Sequence, residues 1–118
     1  MILSGLTIGE AEGLHDDGWC GPVVRLKLVA VGTCSELRIG VWLKPETNEK
    51  DRTVFTITSD KATAKVQVVP MNVPVEIEIP ITLSKGDSIK LRISTPHHVH
   101  SGADARDLSF VLSSLVMM

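Results

Sequence analysis

The stretch TPHHVHSGADARDLSF, Thr95–Phe110, gathers three histidines, two aspartates and an arginine ahead of an apolar segment. Imidazoles and carboxylates at this density suit metal binding. On an extended segment alternate side chains share a side, so His98 and His100 point together and could clamp Zn²⁺ or Ni²⁺, with Asp104 or His15 as a third ligand. The ligand count argues against it. Structural zinc sites show four paired ligands, and the chain has no CxxC and no HxxxH. His97, His98 and His100 are then exposed loop histidines, and no cofactor is expected. Asp104, Arg106 and Asp107 have two readings. A carboxylate beside a guanidinium binds sugar hydroxyls through charge-assisted hydrogen bonds. Alternatively, Arg106 pairs with Asp104 or with carboxylates of another loop and ties the two loops together. The position just before Leu108, an inward-facing residue, favours the tie.

A second polar concentration, GEAEGLHDDGWCGP, reads as the loop before the second strand and carries His15, Asp16, Asp17 and Trp19. A tryptophan beside carboxylates is the equipment of a sugar site: the ring stacks on a pyranose and the acids take its hydroxyls. The competing role for Trp19 is to close one end of a core. Trp42 suits an exposed platform better, because Val41 and Leu43 take the inward phase and leave Trp42 outside with Arg38. Catalysis has no comparable support. There is no GxSxG elbow, no P-loop and no dinucleotide fingerprint. The acids that could be named for glycoside hydrolysis lie on expected loops. The chain is not expected to be an enzyme.

What must position these groups is a set of strands. VVRLKLVAV, ELRIGVWLK, TVFTITS, TAKVQVV, VPVEIEIPIT, SIKLRIS and DLSFVLSSLVMM alternate apolar and polar residues, and ILSGLTIG adds a weaker eighth run. Period two gives each strand one dry and one wet face, and β-branched residues dominate. In TAKVQVV the inward set is Ala64, Val66 and Val68. In the last run the phase slips at Ser113-Ser114, which suggests a bulge. Gly32-Thr33, KPETNEKD, Ser59-Asp60, PMN and Lys85-Gly86-Asp87 are turn chemistry. The expectation is one all-β domain over 1–118, an antiparallel β-sandwich of jelly-roll type with about eight strands. Its buried set includes Ile39, Val41, Val66, Ile77, Ile79, Leu91, Ile93, Phe110 and Leu112.

Bulk properties narrow the partners. With 12 Lys and Arg against 14 Asp and Glu, the net charge is −2. That balance gives no strong footprint for nucleic acid or an anionic membrane. No apolar run approaches a membrane span. The opening MILSGLTIGEAEG has no basic n-region, so a cytoplasmic location is expected. Cys20 and Cys34 then read as reduced thiols, with a bridge between them as the alternative.

The two polar stretches also carry a resemblance. GLHDDGWCGPVVRLKL resembles the opening segment of a small β-sandwich module associated with bacterial glycosyltransferases and other surface-polysaccharide enzymes. DARDLSFVLSSLVM resembles its closing segment, through Asp104, Arg106, Leu108, Ser109 and Phe110. The histidines are not part of that pattern. The resemblance implies a non-catalytic, carbohydrate-binding-like accessory module, either free-standing or the C-terminal part of a longer protein, with a glycan and a glycosyltransferase catalytic domain as partners. A protein-interaction or oligomerisation module, even a homo-oligomer, is the alternative. It rests on Trp42, Val54 and Val69 on outer faces and on the terminal LVMM. A metal-binding cupin-like protein ranks third, since cupins draw histidine ligands from several strands.

Overall fold

In the computed structural model, which describes residues 1–44, 52–97 and 108–118, the alternating runs are strands. They are β1 (Ile2–Ser4), β2 (Leu6–Leu14), β3 (Trp19–Ala30), β4 (Cys34–Trp42), β5 (Arg52–Ser59), β6 (Lys65–Pro70), β7 (Val75–Leu83), β8 (Ser88–Ser94) and β9 (Phe110–Met117). The chain is an all-β, antiparallel sandwich, as its period-two pattern predicts. The opening run splits at Gly5 into β1 and β2. Gly5 has φ +77°, and a Cβ there would run into the Met117 carbonyl oxygen, so only glycine makes this corner. His98, His100, Asp104, Arg106 and Asp107 lie outside the described residues, and so does the proposed Asp104–Arg106 tie.

One hydrogen-bonded path runs β6-β5-β8-β3-β9-β4-β7, with β2 added to β3 and β1 added, parallel, to β9. It folds into two layers: β2, β3, β8, β5 and β6 in one, and β1, β9, β4 and β7 in the other. The junction is β3. Along one edge, Trp19 and Cys20 pair with Val111 and Phe110 of β9, whereas Val23 to Val29 pair with β8. The change of partner falls at Gly21-Pro22. Pro22 has no N–H to give to a ladder, but its carbonyl accepts from Thr95 N at 2.9 Å. At the opposite edge, Lys65 Nζ on β6 donates to the Glu78 carbonyl of β7 at 2.6 Å.

Between the layers lies one aliphatic core in which Phe55 and Phe110 meet edge to face at 5.0 Å. β7 shows the pattern at its clearest: Ile77, Ile79, Ile81 and Leu83 are buried, and the intervening Glu76, Glu78, Pro80 and Thr82 are exposed. The phase slip at Ser113-Ser114 is a bulge. Gly40 faces Ser114 and Val41 faces Leu112, which leaves Ser113 extra. The Ser114 and Ser113 hydroxyls fill the space where a Cβ of Gly40 would stand.

Four expectations are corrected. Ala64, Val66 and Val68 are exposed, Val66 to 65%, and Val69 is buried rather than outward. The register with β5 decides this. Thr56, on the outer face, pairs with Val66, so Val66 shares that face, while Thr53 pairs with Val69. The residues before His15 are strand rather than loop, because β2 runs to Leu14. Their GEAEG pattern has no apolar phase because β2 is an edge strand exposed along most of its length. His97 is not an exposed extra: it is 3% exposed, with Nε2 at 3.1 Å from the Lys44 carbonyl oxygen. The remaining expected core residues are buried, and both cysteines are free and buried.

Candidate functional site

The residues nominated around Trp19 and Trp42 form a packed end of the sandwich. β2 and β3 are joined by a tight turn in which His15 N donates to Trp19 O at 2.8 Å and Gly18 N to His15 O at 3.0 Å. Gly18 takes φ +89°. Asp17 Oδ1 accepts from Trp19 N at 3.2 Å, so this carboxylate shapes the turn, while Asp16 is exposed at its tip. Trp19 and Trp42 both pair in register with Val111 from opposite sides. Their rings meet edge to face, 6.3 Å apart and inclined at 71°, and both are half-buried. Each therefore offers less free face than a stacking platform would. Beside them, burial pushes the Cys20 thiol up to about 12, helped by the charge of Asp17 and opposed by a hydrogen bond from the Leu112 backbone. A thiol held neutral in this way is a poor nucleophile.

Arg38 stands on the same layer and is already engaged. Its Nε donates to Glu36 Oε2 at 3.1 Å and lies 3.9 Å from Glu78 Oε1. The hydrogen bond and charge of Glu36, with Glu78 and Glu76 beyond, hold its guanidinium still more firmly protonated than usual.

An open groove lies on the outer face of the other layer. With a volume of about 640 Å³, it crosses β2, β3, β8 and the end of β5. Its lining is Glu10, Ala11 and Glu12 from β2, Arg25, Leu26 and Lys27 from β3, Lys90, Leu91 and Arg92 from β8, and Thr58 and Ser59 from β5. Leu26 and Leu91 point into the core and contribute the floor. The register builds two rows across the sheet. Arg25 faces Glu12 on one side and Arg92 on the other, and Arg92 faces Thr58. Lys27 faces Glu10 and Lys90. The β3–β8 ladder thus places arginine against arginine and lysine against lysine.

Little in the surroundings answers these charges. Arg25 reaches Glu12 at 3.9 Å with both side chains exposed. Among the described residues, Lys27, Lys90 and Arg92 have no carboxylate within ion-pair distance. Asp60 adjoins Lys90, but its Oδ1 accepts the Lys90 backbone N–H at 2.9 Å. Arg92 Nη1 donates to Ser94 Oγ at 3.4 Å. The groove can therefore hold an oxygen-rich, negatively charged ligand by charge-assisted hydrogen bonds. Among the described residues, its lining includes no histidine or cysteine. Among the described residues no group of three His, Cys, Asp or Glu could hold a metal ion, and no helix is long and apolar enough to cross a membrane.

The sequence reading did not single out the four groove cations. A signal was present, however: RLK at 25–27 and KLR at 90–92 are mirror images. Antiparallel pairing about the two leucines opposes like with like. No family model, no curated protein and no solved structure matches this chain.

Proposed function

We propose that this chain is a non-catalytic, carbohydrate-binding-like accessory module serving bacterial polysaccharide synthesis, and that its ligand lies in the groove across β2, β3, β8 and β5. The observation that carries the reading is the groove itself. It is open, about 640 Å³ in volume, and lined by side chains able to hydrogen-bond to hydroxyl and carboxylate oxygens. A cytoplasmic location and a glycosyltransferase catalytic domain as partner belong to the same reading. This moves the contact surface away from Trp19, Asp16, Asp17, Trp42 and Arg38. The test is a panel of neutral and acidic polysaccharides in affinity electrophoresis. Retardation by at least one polymer, lost when the groove is altered at Arg25 and Arg92, supports the reading. Mobility unchanged by every polymer refutes it.

A second reading, an interaction or oligomerisation module, is favoured by one observation. Val54 and Val68 pair on the outer face of β5 and β6, beside Val66, and all three are exposed. Light scattering at increasing concentration tests it: a dimer that Val68→Lys dissociates would support this alternative.

A further inference from the structure

We infer that the groove selects acidic polysaccharides, chains that carry uronate or sialate carboxylates, and that the anion seat lies on the β8 side, at Arg92 and Lys90. This rests on the carbohydrate-binding reading and names its ligand class. Like charges directly opposed across an antiparallel pair repel, and here two such pairs follow each other along one ladder. Successive outward residues on a strand are about 7 Å apart. The two rows thus offer two cation pairs at about that separation to carboxylates spaced along an extended polymer. An anion placed between Arg25 and Arg92 turns their repulsion into shared attraction, and Lys27 with Lys90 repeats the arrangement one step along.

The flanks decide which polyanion fits. On the β2 side, Glu12 and Glu10 stand in the rows of Arg25 and Lys27 and partly answer them. On the β5 side, Arg92 faces Thr58. The uncompensated charge is therefore on β8, with hydroxyl-bearing Thr58 and Ser59 beyond it. Glu10 and Glu12 repel a ligand that is charged at every position, such as a phosphodiester backbone or an anionic membrane. They accept hydrogen bonds from sugar hydroxyls between the charged groups. Among the described residues, its lining includes no aromatic ring for base stacking.

The experiment uses the full chain and its Arg92→Gln, Arg25→Gln and Lys90→Gln variants. Binding is measured to polygalacturonate, alginate, hyaluronate and polysialic acid beside neutral dextran and galactomannan, at low and high salt. Thermal melting of each variant checks that the fold is intact. We expect at least one acidic polymer to bind and to weaken about tenfold or more in Arg92→Gln, the loss of a charge-assisted hydrogen bond. Arg25→Gln should weaken it less, and binding should fall as salt rises. Binding of neutral polymers alone, or of an acidic polymer with no response to Arg92→Gln, overturns the inference and leaves the carbohydrate-binding reading standing. No binding to any polymer overturns both. Tighter binding to duplex DNA or phosphatidylglycerol vesicles than to every acidic polysaccharide overturns the ligand class.

Discussion

Arginine appears on the outer face of both layers, in the same backbone setting and with opposite company. On the β4–β7 ladder, Arg38 stands opposite Glu78, and Glu36 takes its Nε. On the β3–β8 ladder, Arg25 stands opposite Arg92. Both pairs are antiparallel, and both carry aliphatic rows on their inner faces. The core therefore does not account for the contrast. Opposite charges across a strand pair stabilise a sheet, and like charges weaken it by up to about 1 kcal/mol. The first face has its charges matched within the chain. The second leaves most of them unmatched among the described residues, and this is why the groove, rather than the tryptophan end, is the candidate site.

The largest expected effect tests whether the two faces belong to one cooperative unit. Phe110 is buried on β9 and meets Phe55 on β5, so it lies beneath both. Phe110→Ala should cost about 3–5 kcal/mol and lower the melting temperature by ten degrees or more. Calorimetry should show a single transition before and after. Two separated transitions would mean that the layers unfold apart and that charge pattern alone does not distinguish them.

The next effect sharpens the edge of the basic layer. Val69 is buried and Val66 exposed. Val69→Ala should cost about 1.5–3 kcal/mol, whereas Val66→Ala should stay within about 0.5 kcal/mol of wild type. Urea denaturation of the two variants decides it, and the reverse order would restore the phase that the sequence alone suggests.

A pH effect follows from Cys20, where β3 joins the layers. Its folded pKa of about 12 lies above the ordinary value of 9.0. The unfolded chain therefore loses the thiol proton first as pH rises. The stabilisation is complete below pH 9 and is lost between about 9 and 12, at up to about 1.4 kcal/mol per pH unit. Cys20→Ala should flatten this part of the stability profile relative to wild type. An identical alkaline slope in both proteins would contradict the burial of the thiol.

The smallest effect is the direct test of the contrast. Arg92→Thr should leave stability unchanged or raise it by about 0.2–1 kcal/mol, because it removes a like-charge pair. Arg38→Thr should lower the melting temperature slightly by stripping Glu36 and Glu78 of their cation. Matched melts at low salt would place Arg38→Thr below wild type and Arg92→Thr at or above it, and high salt should shrink both shifts. Equal destabilisation by the two changes would erase the distinction.

Some of this was legible in the sequence and some was not, for physical reasons. VEIEIPITL and SIKLRIS read correctly because both of their faces are set by the core beneath them. KVQVVP was read one residue out of phase. It forms the outer strand of its layer, where Lys65 and Gln67 reach the rim and valines stand in the open, so hydrophobicity no longer reports direction. GEAEG was read as a loop because an edge strand held by backbone pairing carries no apolar stripe. Trp42 on an outer face was legible from Val41 and Leu43, but its contact with Trp19 was not, because that depends on two strands meeting on β9. The groove follows the same rule. Arg25 lies 67 residues before Arg92 and Lys27 lies 63 before Lys90, and only the non-sequential β3–β8 pairing makes them neighbours.

The way β8 and β9 share one edge of β3 has a consequence for engineering. The end of β8 is held by Thr95 N bonded to Pro22 O, and the start of β9 by Ser109 N bonded to Cys20 O. The two anchor points are two residues apart on a single strand. Both bonds are accepted by backbone carbonyls of β3, so side-chain changes at 20 and 22 leave the acceptors in place. The two layers are thus clipped together here by main chain alone, and a redesign of either outer face need not touch the clip.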